Sequence, residues 1–197
     1  GLATIWNYKN DKQQLDALLT WHQQFTEKHD VKVVAGTTYT KHIYEQNGMQ
    51  GFGFSTDEFS FNNMGAAQTV QWINSAREDN TTTSFFARAE YVLNQKYILN
   101  ASVRADGASN FGPGNKWGYF PSGSVAWQLG DEPFMSFIKP LFYDLKLRAS
   151  YGVTGNDGIG NYLSQRKFAM TDVYLGGGSI VKGMYPSNPE NKDLKWE

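Results

Sequence analysis

The 197-residue sequence contains no cysteine, which excludes a disulfide framework, a thiolate metal site and a thiol nucleophile. It also lacks a charge imbalance. Eighteen Lys and Arg stand against 19 Asp and Glu, so there is neither a basic footprint for nucleic acid nor an acidic disordered tail. Long apolar runs are missing as well: nothing approaches the roughly 18 apolar residues of a transmembrane helix. That excludes a helical membrane protein. It does not exclude a barrel, whose strands present lipid-facing side chains only at alternate positions. The opening Gly1-Leu2-Ala3-Thr4 has neither the charged nor the apolar region of a signal peptide, so an exported protein would have its N-terminus upstream. No fixed-period repeat, low-complexity tract or domain boundary is visible, and residues 1–197 read as one piece of one domain.

What is present is strict period-two alternation, the mark of strands whose two faces meet different surroundings. Tyr97, Leu99, Ala101 and Val103 alternate with Asn100, Ser102, Arg104 and Asp106. Leu145, Leu147, Ala149, Tyr151 and Val153 alternate with Asp144, Lys146, Arg148 and Ser150. Phe85, Ala87, Ala89, Tyr91 and Leu93 alternate with Arg88, Glu90 and Asn94. Weaker versions run through Asn10 to Phe25, Val31 to Glu45 and Trp117 to Leu129. Six strands follow, each about long enough, once tilted, to cross a bilayer core. A soluble antiparallel sandwich also alternates. Two features favour an all-β chain of antiparallel strands forming part of a large transmembrane outer-membrane barrel. Charges sit in mid-strand on the polar positions, at Arg88, Glu90, Arg104, Asp106, Lys146 and Arg148, where a lumen would take them, and Tyr and Trp gather near strand ends on the apolar ones, as interfacial girdles do.

Connections alternate in length. Thr26 to Asp30 and Asn94 to Lys96 are short, whereas Gln46 to Thr81 is a long polar segment. Barrels of this kind carry short turns on the periplasmic side and longer loops outside. That order puts Gln46 to Thr81, Gly107 to Lys116 and Thr154 to Asn191 outside, with a new strand starting at Leu194-Lys195-Trp196-Glu197. The Gly176-Gly177-Gly178 run and Pro186-Ser187-Asn188-Pro189 suit the last of these loops. Asp131 to Phe142 falls on the periplasmic side. Phe134, Phe137, Ile138 and Leu141 at helical spacing, with Asp131 as N-cap and Pro140 as stop, predict one or two helical turns there. Gly107, Gly112 and Gly114 are expected to supply positive φ in a tight outer loop, and Pro121 suits a strand edge or bulge.

Catalytic chemistry finds no support: no Ser/His/Asp set or carboxylate pair stands in a loop in catalytic order, so no enzyme, cofactor or metal is expected. His22, His29 and His42 lack metal-ligand spacing, and His22 and His42 fall on the polar face as ordinary residues. Gly152, Gly155, Gly158 and Gly160 hint at a phosphate loop, but no helix follows them. Arg104 and Asp106 lie two apart on one face and can pair with each other or with Arg148 and Asp144, more as a structural lattice than as a binding site.

Three blocks carry a family resemblance. They are Arg104-Ala105-Asp106-Gly107-Ala108-Ser109-Asn110-Phe111, then Asn115-Lys116-Trp117-Gly118-Tyr119-Phe120-Pro121-Ser122 with Val125-Ala126-Trp127, then Leu145 to Asp157. With the closing Asp193-Leu194-Lys195-Trp196-Glu197, their wording and order resemble the SusC/RagA proteins, TonB-dependent transporters of Bacteroidota. The resemblance is specific from Ala87 to Tyr162. It implies a large outer-membrane barrel with an N-terminal plug domain, energised through TonB by the N-terminal part absent from these residues. It also implies a SusD-like surface lipoprotein as partner and oligosaccharides or peptides as cargo. Under it the long outer segments would face lipoprotein or cargo, and Trp72, Trp117 and Tyr174 are candidate contacts because an aromatic face stacks on sugar rings. A passive porin and a soluble carbohydrate-binding sandwich are the competing readings; an upstream plug separates the first, solubility without detergent the second.

Overall fold

The computed structural model describes residues 1–58, 60–138, 142, 144–175 and 180–197. Among the described residues there are eight strands: β1 (Leu2–Thr26), β2 (His29–Phe52), β3 (Thr69–Leu93), β4 (Tyr97–Ala108), β5 (Trp117–Gln128), β6 (Lys146–Gly152), β7 (Lys167–Tyr174) and β8 (Ile180–Asn188). The first six make one sheet in sequence order, and β7 and β8 make a separate hairpin. The chain divides into two compact units, Gly1–Gln14 with Thr40–Thr81 and Leu15–Tyr39 with Thr82–Glu197. β1, β2 and β3 contribute a stretch to each.

In the second unit the ladder registers sort the side chains into two faces. Phe86 stands opposite Arg104, Arg88 opposite Ser102 and Glu90 opposite Asn100. Asn100 in turn stands opposite Ser124, and Arg148 opposite Ala126. Odd-numbered positions carry the other chemistry: Phe85 opposite Ala105, Ala87 opposite Val103, Leu99 opposite Val125, and Leu147 opposite Trp127. Because opposed residues share a face, one face is aliphatic and aromatic and the other polar and charged. The aliphatic face is open: Phe85, Leu99, Val103, Val125 and Leu147 are all exposed. Among the described residues the buried apolar side chains are only Ala108, Phe111 and Ala126. A sandwich would need an apolar layer between two packed sheets; here the apolar layer faces outward.

The hairpin between β3 and β4 turns at Asn94 and Gln95, both left-handed at φ 53 and 58, as a type I′ turn requires. Lys96 N–H closes it on the Leu93 carbonyl at 3.0 Å. Pro121 is at neither an edge nor a bulge: it stands opposite Val103 inside β5, its carbonyl accepts from Val153 N–H at 3.0 Å, and the β5–β6 pairing ends beside it at Ser122 with Gly152.

Several expectations need correction. Gln46 to Thr81 is not a long loop: β2 continues to Phe52 and β3 begins at Thr69, and the 3₁₀ turns Ser60–Asn62 and Met64–Ala66 lie between. The link after β5 does form two helical turns, but of the 3₁₀ kind, Leu129–Asp131 and Pro133–Ile138, with bonds such as Glu132 N–H to the Leu129 carbonyl at 3.1 Å. Pro133 has no N–H to carry an α-helical ladder through the link, and so short a segment does not nucleate one alone. Asp131 ends the first turn rather than capping a helix; Pro140 and Leu141 lie outside the described residues. Thr154 to Asn191 contains the β7–β8 hairpin, paired from Phe168 with Pro186 to Tyr174 with Ile180; the Gly176-Gly177-Gly178 run lies outside the described residues. Leu194 to Glu197 forms no strand. Of the three loop glycines only Gly114 has positive φ, 88. Gly107 and Gly112 are glycines for room: a Cβ would run into the Trp117 ring at the first and the Lys192 carbonyl at the second.

Candidate functional site

The polar face of the second unit is a connected lattice. Arg88 donates to Asn100 Oδ1 through Nη2 at 2.9 Å and reaches Glu90 at 3.4 Å. The Ser102 and Ser122 hydroxyls meet at 2.7 Å. Arg88, Asn100, Ser102, Ser122, Ser124 and Ser150 line a shallow concavity on this face. Arg104 Nε donates to both Asp106 oxygens at 2.8 Å, its Nη2 donates to Ser84 Oγ at 2.9 Å, and its guanidinium lies 6.0 Å from the centre of the Phe86 ring. Of the alternatives, Arg104 thus takes Asp106, while Asp144 accepts from Gln128 Nε2 at 2.7 Å. Ser84 and Asp106 are buried, 2% and 8% exposed, whereas the Arg104 side chain stays half exposed; the two-oxygen contact suits a fixed wall more than a mobile contact. Lys146 and Arg148 stand exposed on the same face.

The aliphatic face ends in two aromatic bands. At one end Phe85 stacks on Trp117 at 6.0 Å; at the other Tyr97 stacks on Trp127 at 6.1 Å. Trp117 to Trp127 is about 33 Å of strand at roughly 3.3 Å per residue. Tilted by some 35–45°, that leaves a band about 25 Å tall, the height of a barrel's lipid-facing belt.

Beyond the Trp117 end, the loop after β4 folds under the last residues of the chain. Phe111 is 1% exposed and packs at 4.9 Å on Trp196, which also meets Phe120 edge-on at 5.3 Å. Trp196 Nε1 donates to the Lys116 carbonyl at 2.9 Å, Gly112 N–H to the Leu194 carbonyl at 3.3 Å and Asn156 N–H to the Glu197 carbonyl at 2.8 Å. Leu194 to Glu197 therefore fasten the loop after β4.

Beyond the Trp127 end sits a group that sequence reasoning missed. Glu132 accepts from Tyr97 Oη at 2.7 Å and Trp127 Nε1 at 3.0 Å on one oxygen, and from Lys96 Nζ at 3.3 Å on the other. The Tyr97 hydrogen bond, then that from Trp127, holds its carboxyl below the usual range; burial works against them, and Lys96 adds to the lowering. Trp127 reaches Glu132 from five residues before it, but Lys96 and Tyr97 come from the start of β4 across the β4–β5 ladder, which sequence spacing does not show.

The candidate contacts lie apart. Trp72 is not in a loop but in β3, in the first unit, half-buried, with Nε1 donating to Gln50 Oε1 at 3.0 Å. Trp117 opens β5 on the aliphatic face, and Tyr174 ends β7, exposed. His22 meets Asp30 at 2.8 Å, His29 meets Tyr91 Oη at 2.7 Å and His42 meets Asn10 at 2.6 Å. Among the described residues no cluster is fit to hold a metal.

The model of the TonB dependent receptor-like β-barrel family matches residues 2–197. The chain belongs to that family. TonB-dependent receptor P3 of Formosa agariphila is 34% identical over 200 residues, taking in 100% of this chain and 19% of the relative. TonB-dependent receptor SusC of Bacteroides thetaiotaomicron is 35% identical over 128 residues, 60% of this chain and 12% of the relative. The chain thus spans about a fifth or less of these relatives. The solved RagAB peptide transporter superposes with a TM-score of 0.85 at 24% identity, over 98% of this chain and 21% of that one, and so shares the fold. This stretch of a TonB-dependent receptor barrel is an outer-membrane structure, and its open sheet edges are those of part of a barrel.

Proposed function

We propose that the whole protein is a TonB-dependent transporter that imports oligosaccharides or peptides together with a SusD-like surface lipoprotein. The observation that carries this reading is the two-faced sheet, with an aliphatic belt bounded by Trp117 and Trp127 on one side and the Arg88–Arg104 lattice on the other. On this reading the belt meets lipid and Arg88, Glu90, Arg104, Asp106, Lys146 and Arg148 line the lumen. Relatives named as TonB-dependent receptors, SusC among them, support energised transport.

β1, β2 and β3 have 25, 24 and 25 residues, about twice the 9–11 that cross a bilayer. Their stretches in the first unit carry charge: Glu45 pairs with Lys9 at 3.4 Å and Arg77 at 3.0 Å. Such a face does not suit hydrocarbon, so these stretches stand in water outside it. The β7–β8 hairpin is the element offered to the lipoprotein. Phe168, Met170, Tyr174, Ile180 and Met184 are exposed on one of its faces around a single Asp172–Lys182 ion pair, and a lone two-stranded hairpin is marginal until covered.

A barrel closed by a plug passes solute only when work is delivered, and the outer membrane has no ATP. Uptake of labelled cargo by cells carrying the full-length protein should stop when TonB is deleted, while surface binding persists. Undiminished uptake without TonB would make the protein a porin.

A further inference from the structure

We propose that the link after β5 is a membrane anchor, with Phe134 and Phe137 inserted among the acyl chains beside Trp127; this rests on the reading above that the aliphatic face meets lipid. Trp127 belongs to that face, standing opposite Tyr97 on one side and Leu147 on the other. The link folds onto the end of the same face. Glu132 accepts from Tyr97 Oη and Trp127 Nε1, and the Phe134 ring lies 6.3 Å from that of Trp127 with planes 58° apart. Phe134 therefore carries the aromatic band past the Tyr97–Trp127 pair.

The segment ties down its backbone and projects its rings. Gly130 N–H donates to the Leu145 carbonyl at 2.9 Å, Glu132 N–H to the Leu129 carbonyl at 3.1 Å and Met135 N–H to the Glu132 carbonyl at 3.0 Å. In the 3₁₀ turn Pro133–Ile138, side chains three apart eclipse, so Phe134 and Phe137 share one edge, about 6 Å apart along the axis. Phe134 is 60% and Phe137 74% exposed, while Pro133 and Ser136 make a second exposed edge. Of the charges nearby, Glu132 is neutralised by Lys96 at 3.3 Å, Asp131 is exposed in the turn before, and Lys139 lies outside the described residues.

What covers the rings follows from the side they are on. A domain inside the barrel would meet the even-numbered face, away from Trp127. The odd-numbered face beside Trp127 is aliphatic, with Leu99, Val125 and Leu147 exposed, and acyl chains that cover those side chains reach the phenyl rings without a break. An apolar edge next to an exposed polar one, on a backbone already hydrogen-bonded, suits the level where headgroups meet hydrocarbon. Tyr97 and Trp127 turn their polar atoms to Glu132 at that level, as interfacial aromatics do. The two phenyl rings carry no polar atom and go deeper.

The test uses the full-length protein, freed of any other cysteine, in liposomes. A nitrobenzoxadiazole dye is attached in turn at Phe134→Cys, Phe137→Cys, Ser136→Cys and, within the belt, Leu99→Cys. Lipids brominated on their acyl chains should quench the dye at positions 134 and 137 as strongly as at 99, with iodide in the buffer having no effect. At 136 iodide should quench and the brominated lipids should not. If Phe134→Cys does not fold, positions 137 and 136 decide. Iodide quenching at 137 equal to that at 136 would put the link in water, and protection of 137 from both quenchers would mean that protein covers it; either result overturns the anchor. Bromine quenching at 99 alone sinks the anchor and leaves the lipid-facing belt standing. No bromine quenching at 99 would instead remove the reading on which the anchor rests.

Discussion

β4, β5 and β6 present two faces of opposite chemistry, whereas the stretches of β1 to β3 in the first unit carry polar groups on both. The ladder is the same in each; the surroundings differ. A strand between lipid and lumen must place aliphatic residues at every second position, as Leu99, Ala101 and Val103 do opposite Val125, Gly123 and Pro121. A strand with water on both sides is free of that rule and can put Trp6 on one face and Lys9 on the other. Exposure in the isolated sheet therefore means different things in the two regions. Leu147 is 53% and Ile73 73% exposed, yet on this account only Leu147 touches hydrocarbon.

The same charge placed at both positions should have the largest and most unequal effect. Leu147→Arg in the full-length protein should cost about 2–4 kcal/mol of folding stability in a bilayer, while Ile73→Arg should stay within about 0.5 kcal/mol. Arg148→Leu, next door but on the polar face, should be far milder than Leu147→Arg. Folding into liposomes under a urea gradient measures all three; equal losses at Leu147 and Ile73 would erase the distinction.

A smaller effect is expected where the aliphatic belt meets Glu132. Its carboxyl is held below the usual range in the folded state. The stabilisation is therefore complete above the ordinary Glu value of about 4.3 and is lost as pH falls through the lower folded value. The unfolding midpoint of the full-length protein should drop across that acidic window, and Glu132→Gln should flatten the drop while lowering the midpoint at neutral pH. An unchanged pH profile in the variant would mean that the Tyr97–Trp127 end is held by stacking alone.

The smallest concerns the turn that sets the β3–β4 register. Gln95 adopts a left-handed conformation that costs an L-residue roughly 1 kcal/mol, part of which glycine returns in chain entropy. Gln95→Gly should thus stabilise by about 0.5 kcal/mol, seen as a small rise in the urea midpoint; destabilisation would indicate that the Gln95 side chain makes a contact worth more than the strain.

How much was legible follows the same divide. Tyr97 to Asp106 and Leu145 to Val153 could be read because lipid enforces alternation, and the blocks around Arg104, Trp117 and Arg148 carried the family. The ends of β1, β2 and β3 and the β7–β8 hairpin could not, because neither face is required to be apolar in the one, and both faces are apolar in the other: Phe168 and Met170 on one side, Val173 and Val181 on the other. Glu132 was invisible because two of its three partners, Lys96 and Tyr97, reach it through the ladder. Trp196 read as a strand residue, yet it caps Phe111, a contact no periodicity encodes.

On the proposed reading the odd-numbered face of β4 meets lipid and the even-numbered face does not. Single cysteines placed in turn from Tyr97 to Asp106, in a background freed of any other cysteine, test it directly once each carries a nitroxide in the full-length protein in liposomes. Collision rates with oxygen, which concentrates in hydrocarbon, should peak at positions 99, 101 and 103, and those with a water-soluble nickel complex at 100, 102 and 104. A profile without period two, or one with the two phases exchanged, would contradict the assignment of faces on which the rest depends.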